Sequence, residues 1–433
     1  MRQNWIAGIL SGMLICLLYS STALAQQPGL SVDPSRPAWL YYRDGRPFFL
    51  CGPGDPEDFL YRGTRNPDGT RDGDQQVLID KVIDTGANSI YFQIIRSNGG
   101  DGAADHNPFV DSDPAKGLNE VILAQWEQWF AAMDAAGIVI FLFFYDDDAI
   151  VWDTGDRVGA EEAAFVRAIV NRFERFDHLI WVVAEEYQEE FSPARISALA
   201  ELIRETDDFD HPIAVHKLNG LDFSEFAGDP NIDQFAIQYN ESDPQVLHDG
   251  MVDAFADAAG RYNLNMSEAA NYGTGQSARL KNWAVAMGGA YVMGFTWDIA
   301  STPLATLEDC GRLRTFMESV PFDSMRPRDD LAAANTRYVL ANVDKRQYIA
   351  YSPNVGNGLG LRQLPAGVYR LRWLNPASGA STVQNDVQVS GPDPVFAPPA
   401  GIGPEAVLYL APQADFSEVL LEDGFESSVL PAG

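Results

Sequence analysis

The residues best suited to chemistry are glutamates that end apolar runs. His178-Leu-Ile-Trp-Val-Val-Ala-Glu-Glu-Tyr187 begins with β-branched and aromatic residues and stops abruptly at Glu185 and Glu186. Leu264 to Ser267 stops in the same way at Glu268. Two carboxyls facing each other across a pocket suit hydrolysis of a glycosidic bond. In the retaining form one is neutral and protonates the leaving oxygen. The other is ionised and attacks the anomeric carbon about 5–5.5 Å away. Ordinary rim carboxylates, each paired with a cation, are the plainer alternative.

Such a pair needs a scaffold that delivers strand ends to one place. From Pro47 to about residue 320 the chain repeats one rhythm of short apolar run, loop and amphipathic helix. Eight runs follow in order: 48–51, 88–95, 138–145, 179–184, 212–216, 232–239, 264–267 and 291–296. Helical periodicity fills all but one of the gaps, with only a short, weak helical segment near 224–228. This alternation predicts a parallel sheet of the (β/α)8 TIM-barrel type. In such a barrel the residues just past each strand share one rim. Here they are Asp55, Arg96, Asp146 to Asp148, Glu185 and Glu186, His216, Tyr239 and Asn240, Glu268, and Trp297 with Asp298. We therefore expect Glu186 and Glu268 to be catalytic. Glu185, Tyr239, Trp297, His216, Asp146, Arg96 and Asn240 are expected to contact substrate. Tyr239 is expected to hydrogen-bond the nucleophile and Trp297 to floor a sugar ring.

No serine stands in a Gly-x-Ser-x-Gly context, which disfavours a serine hydrolase. Gly52-Pro-Gly54 does not match the phosphate turn of a doubly wound sheet. No spacing supports a metal site, and Asp146-Asp-Asp148 reads as a solvated acidic loop. Neither metal nor cofactor is expected.

The flanks have a different texture. Residues 1–25 read as a signal peptide: Arg2, an apolar run from Trp5 to Leu18, then Ala23-Leu-Ala25 as a cleavage signal. Residues 26–46 form an entry segment with a hairpin around Arg43-Asp-Gly45. The barrel is assigned to 47–325. Residues 326–413, with short alternating runs and Gly/Pro turns, read as a small all-β sandwich. An acidic tail occupies 414–433. The formal charge of −31 disfavours nucleic acid and acidic polymers. A secreted or periplasmic monomer acting on neutral carbohydrate, with no membrane contact once the signal is cleaved, fits these features. In that compartment Cys51 and Cys310 can form a disulfide, because the first strand and last helix are neighbours when the ring closes.

Two resemblances add to this reading. Trp181-Val-Val-Ala-Glu-Glu-Tyr187 and Met266-Ser-Glu-Ala-Ala-Asn-Tyr272 resemble the clan of retaining (β/α)8 glycoside hydrolases that includes cellulases and β-mannanases. The resemblance implies that Glu186 is the acid/base and Glu268 the nucleophile. Glu185 stands where that clan has an Asn that binds the sugar 2-hydroxyl, which is a departure. Gly45-Arg-Pro-Phe-Phe-Leu50, Asn88-Ser-Ile-Tyr-Phe92, the Glu-Ala-Ala-Asn-Tyr segment, and Arg279 through Gly294 resemble the apiosidase-like barrels. So do Tyr351-Ser-Pro-Asn354 and Leu364-Pro-Ala-Gly-Val-Tyr-Arg-Leu-Arg-Trp373. In those proteins a sandwich labelled collagen-binding follows the barrel; here it is expected to brace the barrel or touch glycan. The Glu185 departure motivates a second hypothesis, a catalytically silent carbohydrate-binding or surface-adhesion protein on the same scaffold.

Overall fold

Eight parallel strands form one sheet in the computed structural model, which describes residues 28–54, 58–269, 271–294 and 298–415. The expected signal peptide, Asp55, Trp297 and most of the acidic tail lie outside the described residues. The strands are β1 (Cys51–Pro53), β2 (Ser89–Ile95), β3 (Val139–Tyr145), β4 (Leu179–Val182), β5 (Ile213–Lys217), β6 (Gln234–Gln238), β7 (Asn263–Glu268) and β8 (Tyr291–Gly294). Their order is β1-β8-β7-β6-β5-β4-β3-β2. The seam between β1 and β2 is stitched by the Asn88 N–H, which donates to the Cys51 carbonyl at 3.0 Å. The Cys51 N–H donates to Asn88 Oδ1 at 2.8 Å. Only glycine fits at 52, because a Cβ there would stand 2.4 Å from Ser89 Oγ. Every residue of β2 and β3 is buried, as in sheets covered on both faces.

Seven α-helices of the described residues surround the sheet: α1 (Gln75–Thr85), α2 (Glu120–Ala135), α3 (Ala160–Phe173), α4 (Pro193–Thr206), α5 (Pro244–Ala258), α6 (Gln276–Gly288) and α7 (Leu304–Glu318). Local sequence sets their ends. Ser192 caps α4 ahead of Pro193 by accepting the Arg195 N–H, and Gly86 ends α1 at φ +74°. Trp126, Trp129 and Phe130 of α2 are buried in the core.

Two expectations are corrected. Residues 224–228 form turns and no helix, so β5 and β6 are joined by a loop that packs Phe223 on Phe235, ring centroids 4.4 Å apart. The first strand runs from Cys51, not Phe48. Phe48 is turned toward an N-terminal hairpin (Leu30–Val32 with Leu40–Tyr42), and its N–H donates to the Leu40 carbonyl.

The C-terminal region contains β9 (Arg326–Pro327), β10 (Ala332–Ala334), β11 (Tyr338–Asn342), β12 (Gln347–Ser352), β13 (Leu359–Leu361), β14 (Gly367–Leu374), β15 (Ser381–Val389), β16 (Val395–Phe396) and β17 (Ala406–Pro412). An antiparallel sheet β9-β11-β12-β17-β14-β15 and a smaller one, β10-β13-β16, enclose a common core that includes Val339, Leu361, Trp373 and Leu408. The fold is thus a TIM barrel followed by a small all-β sandwich. Trp283 of α6 stacks on Tyr351 of β12 at 5.5 Å. Arg279 spans the junction, reaching Glu405 at 2.9 Å and Asp309 at 3.1 Å. At the C-terminal ends of β1–β8 lies the rim where a barrel presents its chemistry.

Candidate active site

The chain leaves β4 still in sheet geometry, with the Glu185 N–H donating to the Tyr145 carbonyl at 3.0 Å. It then turns sharply at Glu186, which adopts φ +37° and ψ +45°. A glutamate in the left-handed region is costly, and such residues cluster at functional sites. The Glu186 N–H donates to His216 Nδ1 at 3.1 Å. Its side chain is half-buried and accepts from Gln238 Nε2 at 2.5 Å. Burial pushes the carboxyl up to about 7, and the charges of Glu268 and Glu189 push the same way. A group held there can give up or take a proton near neutrality.

His216, near the end of β5, is fully buried. Burial lowers its basicity to about 3, so the imidazole is neutral. Because Nδ1 accepts the Glu186 N–H, the single ring proton sits on Nε2. That atom lies 4.0 Å from Glu268 Oε2. Glu268 is the last residue of β7 and pairs with Gln238 across a register irregularity between Ile237 and Gln238. The extra residue is Ser267 of β7, while Gln238 continues the alternation of β6 and reaches Glu186.

Behind this pair lies a second acid couple. Glu185 is buried, and Gln93 Nε2 donates to its Oε2 at 2.5 Å. Burial holds the Glu185 carboxyl well above the usual range, and the charge of Asp146 adds to this. Asp146 is pushed up to about 7 by burial despite Arg96 beside it. Arg96 Nε stands 3.2 Å from Asp146 Oδ2, while Arg96 Nη1 donates to Asp58 at 2.9 Å. One guanidinium therefore serves two carboxyls and leaves Glu185 without a full countercharge.

The structure thus brings together Glu185, Glu186, His216, Glu268, Asp146 and Arg96. It places Tyr239 elsewhere. The Tyr239 ring faces α5, where a Cβ on Gly250 would stand 2.7 Å from Tyr239 Cε1, and it feels Glu241, Asp253 and Asp249. Asn240 is exposed, and its N–H donates to Asn219 Oδ1 at 3.0 Å. Gln93, Gln238 and Tyr91 were missed by the rim reading. A glutamine inside a wholly apolar parallel strand was the available signal, since a buried amide needs a polar partner. Oxygens of Asp147, Glu186 and Glu189 lie within 4.8 Å of one another, which makes the outer rim acidic. Cys51 on β1 and Cys310 on α7 are paired as a disulfide, Cα atoms 5.2 Å apart.

A parallel barrel with acid-tipped strands defines a class of catalytic scaffold, and comparison with known proteins narrows it. The family "Apiosidase-like, catalytic domain" matches residues 37–297, and the chain belongs to that family. No curated protein matches it. Among solved structures, one described as a glycoside hydrolase superposes with a TM-score of 0.66 at 13% identity, covering 89% of this chain and 97% of the other. A family 5 glycoside hydrolase from Bacteroides vulgatus gives 0.64 at 14% identity, with 90% and 94% covered. At such identities the likeness shows a common fold.

Proposed function

We propose that this protein is a glycoside hydrolase that cleaves O-glycosidic bonds of an oligo- or polysaccharide with net retention. The observation that carries the reading is the half-buried carboxyl of Glu186, its hold on a proton raised by burial and by Glu268 beside it. Glu186 protonates the leaving oxygen while Glu268 attacks the anomeric carbon. Glu186, now ionised, then takes a proton from the water that releases the sugar. Gln238 orients Glu186, and the Nε2–H of His216 faces the nucleophile side. No metal or cofactor takes part in these steps.

The strong acidic charge favours a neutral substrate over an anionic one. The signal-peptide reading of residues 1–25 is what supports export, and no helix of the described residues is long and apolar enough to cross a membrane. We propose a monomer with the sandwich bracing the barrel.

The test is to purify the wild type with Glu186→Gln and Glu268→Gln and assay them on 4-nitrophenyl glycosides and plant polysaccharides. Proton NMR of the first-formed anomer distinguishes retention from inversion. Wild-type rates in both variants would refute the assignment. Glycan binding without hydrolysis by the wild type would favour a silent binding protein.

A further inference from the structure

The chain has only five lysines among its thirty Lys and Arg residues. Three of the five point their ammonium groups at backbone carbonyls of rim loops. Lys81 of α1 donates to the carbonyls of Ile299 at 2.6 Å, Ala300 at 3.0 Å and Thr302 at 2.7 Å. Lys281 of α6, 2% exposed, donates to the carbonyls of Asn271 and, at 2.9 Å, Tyr272. Lys217 at the end of β5 donates to the Asp222 carbonyl and, at 2.6 Å, to Glu225. Glu225 in turn accepts the Tyr187 hydroxyl at 2.5 Å, beside Glu186. Among the described residues, neither Lys81 nor Lys281 has a carboxylate within ion-pair distance. The arginines of this chain mostly pair with carboxylates instead. A compact ammonium with three donors suits converging carbonyls, whereas a planar guanidinium does not.

We infer that Lys81, Lys217 and Lys281 are positioning residues whose ammonium groups fix the loops after β8, β5 and β7. The Lys281 carbonyls follow Glu268 by three and four residues. The Lys81 carbonyls follow Asp298, which accepts the Ala300 N–H and begins the turn into α7. Bonds to a charged donor are the stronger kind, so each contact adds to the turn bonds a loop makes within itself, such as those to Asp298. The consequence for catalysis rests on the carboxylate reading above, but the test does not.

Hydrogen exchange followed by mass spectrometry reads the loops without substrate. In Lys81→Met the amides of 298–303 exchange about tenfold faster, and in Lys281→Met those of 271–275 do so. Lys116→Met and Lys345→Met serve as controls and leave both loops unchanged. Lys81→Cys treated with bromoethylamine rebuilds an ammonium on a thioether stem and brings the 298–303 exchange back to the wild-type rate. A neutral alkyl adduct does not. If Lys281→Met fails to fold, the Lys81 series decides. Unchanged exchange in both Met variants, or equal behaviour of charged and neutral adducts, overturns the inference whether or not the carboxylates are catalytic.

Discussion

The backbone N–H of Glu186 donates to Nδ1 of His216 at 3.1 Å, and this one bond couples the two halves of the site. It fixes the imidazole tautomer and places the only ring proton on Nε2, 4.0 Å from Glu268. It also satisfies the N–H of a residue in left-handed backbone. His216→Leu removes the acceptor and the donor together while keeping the bulk. We predict a kcat about 10²-fold lower on the best substrate of the panel with circular dichroism unchanged. Because burial holds the imidazole neutral, nitrogen NMR should show an unchanging Nε2–H tautomer from about pH 5 to 9. An imidazole titrating in that range would contradict the geometry.

Glu186 has its proton below about pH 7 and loses it above. An acid catalyst must be protonated, so kcat/KM should fall on the alkaline side with a midpoint near 7. Glu186→Gln abolishes that limb. It should also spare kcat/KM for dinitrophenyl glycosides, whose leaving group needs no proton, while kcat/KM for natural linkages falls about 10³-fold. Glu268→Gln should lose both. A pH profile that keeps its alkaline limb in Glu186→Gln would assign the proton donor elsewhere.

The barrel and its acid-tipped strands were legible because continuous apolar runs and helical stripes are local signals. Glu186, Glu268 and His216 follow from strand ends alone. Tyr239 did not follow, because Gln234, Ala236 and Gln238 alternate with Phe235, Ile237 and Tyr239 along β6, so the glutamine turns to Glu186 and the tyrosine to α5. The one irregularity lies in β7, where Ser267 is the extra residue before Glu268, and no sequence pattern announces it. The Gln93–Glu185 contact was equally hidden, since it joins two strands that are not neighbours in the sheet. The first strand was displaced because Phe48 through Leu50 are as apolar as a strand, yet the Phe48 N–H turns to the Leu40 carbonyl of the entry hairpin.

Glu185 and Asp146 make folding stability depend on pH. Burial raises both carboxyls, so each binds its proton more tightly in the folded chain than in the unfolded one, where it titrates near 4. The contribution of Asp146 is complete below about pH 4 and is lost as pH rises through about 7, and that of Glu185, also complete below about pH 4, is lost as its raised carboxyl ionises. Glu185→Gln replaces a neutral acid by an amide of the same shape. We predict that this variant is more stable than the wild type at pH 8 by about 1–3 kcal/mol, and not at pH 4. Urea titrations at the two pH values check this. A wild-type advantage that grows with pH would mean that Glu185 is ionised in the folded protein.

Cys51 and Cys310 tie β1 to α7 across 259 positions of sequence, at the side of the ring where β1 meets β8. Both residues are fully buried, so the link is shielded from solvent. Closing so long a loop restricts the unfolded chain strongly, and removing such a bridge typically costs about 2–5 kcal/mol. The oxidised mature protein should show no thiol toward Ellman's reagent in denaturant. Cys51→Ser with Cys310→Ser should lower the melting temperature, and reductant should lower that of the wild type but not of the double variant. Two titratable thiols in protein purified from an oxidising compartment, with a melting temperature indifferent to reductant, would show that the sulfurs are simply packed. In that case the hydrogen bonds between Asn88 and Cys51 alone would hold the seam, and Asn88→Ala should then destabilise more than the double cysteine variant.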